Sequence, residues 1–272
     1  VVTEVNDTGI VLKQQVTDDQ EHYISKTKAE IGHETVQIGD KVAFKPNGGP
    51  LIIAPDYLLP ATLLADSFTC MRRACLSALT QPAVEDNRPS TSLVIGSLVH
   101  TVIQSLLSDY INSDDLLRLE ISKLIQREVS TTECLLSLYA CDGEVEEVKR
   151  EAEEMLNCQL FYQWYHDLMR NNQVVDIEES IWGTAVGLKG KIDVTLRSYK
   201  DHQFRPLEIK TGKYNQNNVN HRGHTLIYTA LLADRREQPV PNGQLYYVAN
   251  HQTIDVPVRP LEIAGIFKQR NQ

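Results

Sequence analysis

Three residues in the second half of the chain have the types and spacing for hydrolytic chemistry: Asp193, Glu208 and Lys210. Asp193 stands between Ile192 and Val194, so on a strand its carboxylate emerges opposite those apolar neighbours. Glu208 and Lys210 are two apart, so a strand places both on one face. A strand–turn–strand hairpin brings Asp193 beside that pair. Two carboxylates next to a lysine can hold Mg²⁺ or Mn²⁺, because hard cations prefer oxygen ligands, and can place a water for attack on a phosphodiester. The lysine can steady the nucleophile and the charge that develops around phosphorus.

A Glu-x-Lys pair alone says little. Glu147-Val148-Lys149 is a second copy, but it sits in the charged run Glu144 to Glu154, which reads as a solvated helix face. The first copy differs in its β-rich surroundings, and its alternative reading is a salt bridge on an edge strand. Two further groups accompany it. Gly96 and His100 lie four apart on a helix and share a face. The glycine allows close backbone approach and the imidazole can ligate a metal, although a lone helical histidine is commonly structural. His221, His224 and Tyr228 fall at i, i+3 and i+7, a face that can grip phosphates and bases or can simply be the half-exposed side of an amphipathic helix.

The flanking sequence predicts the elements that must position these groups. Strands are expected at Val174 to Trp182, Gly187 to Leu196, Pro206 to Lys210 and Gln244 to Ala249. Helices are expected from Asp66-Ser67 through Arg72, Arg73 and Leu76, from Ser92 to Tyr110, throughout 114–170, and from Asn220 to Ala233. Residues 80–90 read as a loop. This order implies an α/β fold, a mixed sheet with flanking helices. Before it, Gly9 to Leu12, Tyr23-Ile24 and Thr35 to Phe44 read as short strands, turning at Gly39-Asp40 and broken at Asn47-Gly-Gly-Pro50. A small β-barrel or a plain meander fits that start equally.

At these motifs the chain resembles a known family. Gly96-xxx-His100, Gly190-Lys-Ile-Asp193-Val, Glu208-Ile-Lys210-Thr-Gly and Tyr228, in that order, look like the RecB-type branch of the PD-(D/E)xK nucleases. The nuclease region of the eukaryotic replication helicase–nucleases is closer still, through Cys70-Met-Arg-Arg-Ala74, Ile95 to His100, Leu188 to Val194, Pro206 to Lys213, and His221-Arg222 leading to Tyr228. The resemblance implies a restriction-endonuclease-like core at 56–272, preceded at 1–55 by an OB-like barrel. It implies metal binding by Asp193, Glu208, the Ile209 carbonyl and His100, with Lys210 as catalytic lysine and Tyr228 in the last motif. His224 occupies a position where the family usually carries glutamine. The resemblance also implies a [4Fe–4S] cluster, with Cys70 as its first ligand. No cysteine follows Cys158, so the three later ligands are not in this chain. It further implies single-stranded and flap DNA as substrate, a single-strand-binding protein as partner, and a nuclear, possibly also mitochondrial, address.

Composition bounds these expectations. In 272 residues, 42% are hydrophobic and 23% charged, which excludes a mainly disordered chain. No run reaches about 18 apolar residues, so no membrane-spanning helix is expected. The start, VVTEVNDTG, has no Met, basic region or apolar run; it reads as no signal peptide and as part of something longer. The five cysteines are odd in number and form no C-x-x-C, which favours a reducing compartment and small buried thiols over disulfides. Twenty-seven basic against 36 acidic residues give a net charge of −9, unusual for a nucleic-acid binder. The average conceals a gradient: acids crowd 114–154, whereas Lys189, Lys191, Lys213 and Arg222 offer a basic groove near Asp193, with His224 as a further phosphate donor. No G-x-x-x-x-G-K-[ST] occurs, so no ATPase is expected here. Two readings remain open beside a chance motif on an unrelated α/β domain. One is a Mg²⁺-dependent nuclease acting on single strands and flaps. The other is a catalytically silent module binding single-stranded DNA or a protein on the same fold.

Overall fold

The strands carrying Asp193 and Glu208 do form an antiparallel hairpin, and a mixed sheet is built around it. The computed structural model describes residues 1–5, 9–13, 21–25, 36–43, 51–80, 89–215 and 218–272. Five short strands come first: β1 (Val2–Val5), β2 (Gly9–Lys13), β3 (Glu21–Ser25), β4 (Val42–Ala43) and β5 (Ile52–Ile53). β1, β2 and β3 pair antiparallel in sequence order, and β4 pairs with β5. Among the described residues these strands close no barrel, so the OB-like expectation is not confirmed; β1 to β3 form a meander. The Asn47-Gly-Gly-Pro50 break and most of the 80–90 loop lie outside the described residues.

Then follow β6 (Leu59–Pro60), α1 (Ala61–Ser67), α2 (Met71–Leu79), α3 (Thr91–Leu106), α4 (Asp114–Val129), α5 (Thr132–Ala140), α6 (Val145–Leu156) and α7 (Gln159–Asn171). The remaining elements are β7 (Asn172–Gly183), β8 (Leu188–Ser198), β9 (Phe204–Lys210), α8 (Val219–Arg236), β10 (Asn242–Tyr247), β11 (Gln252–Pro257) and α9 (Pro260–Arg270). The sheet runs β11-β10-β9-β8-β6, and β7 pairs along the other edge of β8. β8 is antiparallel to β7 and β9, whereas β6–β8 and β9–β10 are parallel, so the sheet is mixed.

Helices cover both faces. On one, α3, α4, α6 and α7 bury Val99, Val102, Ile121, Val148 and Tyr165 against Leu196, Leu207 and Ile209 of the sheet. On the other, α1, α8 and α9 pack Leu64, Ile227, Leu231 and Phe267 against Ile181, Leu188, Ile192 and Leu245. α3 shows why the sequence chooses this: apolar Val94, Leu98, Val102 and Leu106, with Ile95, Val99 and Ile103, form a broad stripe at helical spacing. The Ser90 side chain caps it by accepting from the Leu93 N–H at 3.2 Å. The helical region 114–170 resolves into four helices, and the acids of α6 stay outside while Val148, Ala152 and Leu156 turn in.

Four expectations change. The helix expected to start at Asp66-Ser67 is two helices. Pro60 opens the first a turn earlier, Ser67 Oγ donates back to the Leu64 carbonyl at 2.6 Å instead of capping, and α2 begins after Cys70. The helix from Ser92 stops at Leu106 rather than Tyr110. β11 and α9 were not expected, although Pro260 at the first position, Glu262 in the first turn and Lys268 and Arg270 in the last are ordinary helix signals. The cysteines are less buried than expected: Cys70 and Cys75 are exposed and the other three half-buried, all free thiols.

The end of α9 ties the 51–57 segment to the core. The Arg270 guanidinium, 6% exposed, donates to the carbonyls of Gly187 (3.2 Å), Ala54 (3.0 Å), Tyr57 (2.8 Å) and Ile53. Asn271 adds a bond to Leu51 O at 2.6 Å and accepts from Ile53 N at 3.0 Å. Arg270 has carbonyls rather than a carboxylate around it, and burial pulls its pKa below the ordinary arginine value. Removing the guanidinium orphans several carbonyls at once, so Arg270→Leu is expected to cost about 3 kcal/mol. Calorimetry or thermal denaturation of the metal-free chain checks this, with an expected fall in Tm of roughly 5–10 °C.

Candidate active site

The site forms where the sheet splits. The β8–β9 ladder runs from Arg197↔Phe204 to Val194↔Leu207 and stops there, while β9 continues beside β10 to Lys210. The same edge of β8 is taken up by β6 only at Leu188 and Lys189. Asp193 sits in the fork between. Its Oδ2 accepts the Ile209 backbone N–H at 2.8 Å, so a carboxylate substitutes for the missing ladder acceptor. Glu208 and Lys210 follow on the diverging arm.

α3 brings His100 into the fork, with Nε2 3.0 Å from Asp193 Oδ2. A Cβ on Gly96 would meet Thr211 Oγ1 at 3.1 Å, so the glycine lets α3 settle against the end of β9. From the opposite face α8, capped by the Asn218 side chain on the His221 N–H, brings His224 Nδ1 to 3.0 Å from Glu208 Oε1. Tyr228, one turn on, packs on the His224 ring with centroids 4.3 Å apart. A Cβ on Gly190 would lie 2.7 Å from the Tyr228 ring, so only glycine admits the tyrosine there.

Electrostatics separate the two carboxylates. Burial pushes the Asp193 carboxyl up, the His100 hydrogen bond opposes it, and the nearby Glu208 charge adds to the rise; the net shift is upward. Burial would raise Glu208 too, but the His224 hydrogen bond and charge and Lys210, 2.5 Å away, outweigh it and hold Glu208 at about 2. Burial would lower His100, yet its bond to Asp193 and the surrounding carboxylates raise it above the ordinary histidine value. Tyr228 is pushed up by burial and by the Glu208 and Asp193 charges, so it stays a neutral phenol. Two atoms of this site keep no partner among the described residues although buried: Glu208 Oε2 and His224 Nε2.

One member of the site escaped the sequence reading. Glu178 on β7 faces Asp193 across the ladder, between the pairs Ile177↔Val194 and Glu179↔Ile192. Its Oε1 lies 3.9 Å from His100 Nδ1, and it also bonds Gln104 and Lys191. Burial would raise its pKa, but the Lys191 and Gln104 hydrogen bonds bring it below the ordinary carboxylate value. Glu178 holds φ +58°, a left-handed conformation that is strained for glutamate and clusters at functional sites. Ligand atoms of His100, Glu178 and Asp193 all lie within 4.8 Å of one another. The available signal was a carboxylate in a strand predicted to pair with that of Asp193, but adjacent Glu178 and Glu179 leave open which of the two turns to the site. Glu179 turns to the other face, held by Thr195 Oγ1 at 2.5 Å and Arg236 at 2.8 Å.

The remaining expected residues scatter. Lys189 and Lys191 are exposed on β8, and Lys191 pairs with Glu178. Lys213 is exposed beyond β9. Arg222 is committed to Glu262 at 2.8 Å on α9. His224, expected as a phosphate donor, is buried and turned to Glu208. His221 likewise points inward, with Nδ1 3.0 Å from the Tyr247 hydroxyl. Glu208 Oε1 is occupied by Lys210 and His224, leaving Oε2 and the Ile209 backbone beside Asp193 for a cation. A [4Fe–4S] cluster on Cys70 would need three further thiolates that the described residues do not bring to it. Cys70 stands exposed at the start of α2, and no three of the five cysteines converge on a common ligand group.

Comparison with known proteins shows which family the chain belongs to. The family model of DNA replication factor Dna2 matches residues 4–173 and 168–198. The chain is 32% identical over 259 residues to the DNA replication ATP-dependent helicase/nuclease DNA2 of Homo sapiens, covering 82% of this chain and 23% of that protein. It is 30% identical over 250 residues to the DNA replication ATP-dependent helicase/nuclease JHS1 of Arabidopsis thaliana, covering 82% and 18%. The chain thus spans about a quarter or less of the length of these relatives. It belongs to the Dna2 family of DNA replication factors.

Proposed function

We propose that this chain is a divalent-cation-dependent nuclease module that hydrolyses phosphodiester bonds of single-stranded DNA, at flaps and unwound ends. The convergence of His100, Glu178 and Asp193 in the fork of the sheet carries this reading, with Lys210 alongside. The donors are an imidazole and carboxylates, with the orphaned Glu208 Oε2 close by, a set that suits Mg²⁺ or Mn²⁺. When bound, such an ion supplies Lewis-acid polarisation of the phosphate and charge neutralisation.

The chain's own residues supply the rest. Asp193 is fixed by Ile209 and His100 before any ligand arrives, so its orientation needs no reorganisation. Lys210 is drawn against Glu208, which holds its ammonium in the fork. Tyr228, a neutral phenol, offers a proton and no negative charge near the phosphate. A single-strand-binding protein as partner, and an address in the nucleus and mitochondria where DNA is replicated, belong to this proposal through the family. Any helicase action would need residues this chain does not show, and no helix among the described residues is long and apolar enough to cross a membrane.

Cleavage of an end-labelled 5′-flap substrate in Mg²⁺ tests the proposal. Asp193→Ala and Lys210→Ala are each expected to lose at least about 100-fold in rate with the thermal transition retained. Equal activity in Asp193→Ala would overturn it. Single-strand binding without cleavage under any metal condition would favour the silent binding module.

The pKa directions give a second test. Asp193 and His100 both hold their protons to higher pH than usual, so protons compete with the cation as pH falls. Mn²⁺ affinity should weaken from neutral pH toward pH 5, with protons released on binding. Titration calorimetry in two buffers of different ionisation enthalpy measures this. Glu178→Gln should weaken Mn²⁺ binding roughly 10-fold or more while keeping the fold.

A further inference from the structure

The β7–β8 ribbon carries a surface track leading away from the fork. On one face, cross-strand neighbours succeed one another as Glu178 with Asp193, Ser180 with Lys191, and Trp182 with Lys189. The opposite face is anchored: Ile181, Leu188 and Ile192 are buried against α1 and α8. The track is therefore a rigid surface, and it starts at the candidate catalytic carboxylates.

Its far end is unusual. Trp182 is 65% exposed, a large aromatic in water on a regular strand. The other tryptophan, Trp164, lies flat on Tyr246, with centroids 3.6 Å apart and an interplanar angle of 5°. Trp182 has no such ring partner among the described residues. It lines a recess of about 290 Å³ with Lys189, Lys191, Gly190, Pro60 and Tyr228, which joins it to the catalytic tyrosine. From Asp193 to Lys189 is four strand residues, about 13 Å. That is roughly four nucleotides of a stacked strand, or two when extended, at ~3.4 Å per stacked nucleotide.

We propose that Trp182 is a base-stacking platform for the single strand a few nucleotides from the scissile phosphate, with the exposed Lys189 beside it meeting the backbone. This rests on the nuclease reading of the fork and adds the substrate's path to it. Every base has a π face, so such a platform binds single strands with little regard to sequence. In a duplex the same faces are stacked on each other, so the platform selects single strands. Single-stranded nucleic acid is the occupant that fits, because the exposed ring is flanked by cations and runs directly into a cation site.

Intrinsic fluorescence tests this without catalysis, in EDTA. Titration of the chain with oligothymidylate should quench its tryptophan emission, and the quench should vanish in Trp182→Phe, where only Trp164 remains. By fluorescence anisotropy with a labelled oligothymidylate, Trp182→Ala should bind between about 5-fold and 100-fold more weakly, and Trp182→Phe should recover much of that loss. Mn²⁺ affinity in Trp182→Ala should match the parent, since the ring touches no candidate ligand. Normal DNA binding by anisotropy with unquenched emission would overturn the stacking role and leave the nuclease reading standing. No DNA binding at all would overturn both. Equal quenching by blunt duplex would overturn the selection of single strands.

Discussion

The candidate site depends on one substitution of hydrogen-bond partners: Asp193 Oδ2 takes the Ile209 N–H at 2.8 Å where a continued ladder would offer a backbone carbonyl. A sheet cannot fork without leaving donors and acceptors unpaired, and buried unpaired groups are costly. The carboxylate solves this for one strand and in doing so is held rigidly at the mouth of the opening. β6 on the same edge of β8, α3 with His100, and α8 with His224 all approach because β9 has moved aside. The split of the sheet and the presence of the acidic residues are thus one design decision, not two.

The second constraint is buried negative charge. Asp193, Glu208 and Glu178 converge in one opening with limited access to water. The protein relieves them unequally: Glu208 is held charged by Lys210 and His224, both on its Oε1, while Asp193 is left with His100 and a raised pKa. Two acids with opposite shifts side by side mark a place where a further positive charge is electrostatically wanted. The φ of +58° at Glu178 points the same way, since a strained residue persists only where its surroundings over-determine it.

The hairpin that pairs Asp193 with Glu208 and Lys210 was legible because strand periodicity and residue chemistry agree there. His100 was legible from its spacing to Gly96. What was not legible depends on tertiary contacts that no local pattern encodes. Glu178 and Glu179 are chemically identical in sequence, and only the backbone irregularity at Glu178 decides which enters the site. His224 reads as a surface residue on an amphipathic helix, but α8 is buried on most of its circumference, so the same spacing points it inward. The OB-like barrel at the start came from the family resemblance, while the short strands themselves left closure open, because short strands do not specify it. Arg270 was invisible for a related reason: an arginine satisfied by carbonyls from 51–57 and Gly187 carries no local signature.

Charge accounting explains why an acidic chain can still suit DNA and why it needs more than charge. Of the basic residues near the site, Lys210, Lys191, Arg205 and Arg222 already have carboxylate partners, and Arg197 lies over the Phe204 ring. Lys189 and Lys213 are the exposed cations near the fork that carry no ion pair among the described residues, while Lys200 stands at the far β8–β9 turn. So few free cations release few counterions, and binding by phosphate contacts alone would be weak and lost at modest salt. A strand held mainly by a cation in the fork and by stacking along β7–β8 is far less sensitive to salt, because neither contribution depends on a broad positive surface. On the proposed reading, the same economy would disfavour duplex DNA, which offers phosphates but no free base faces.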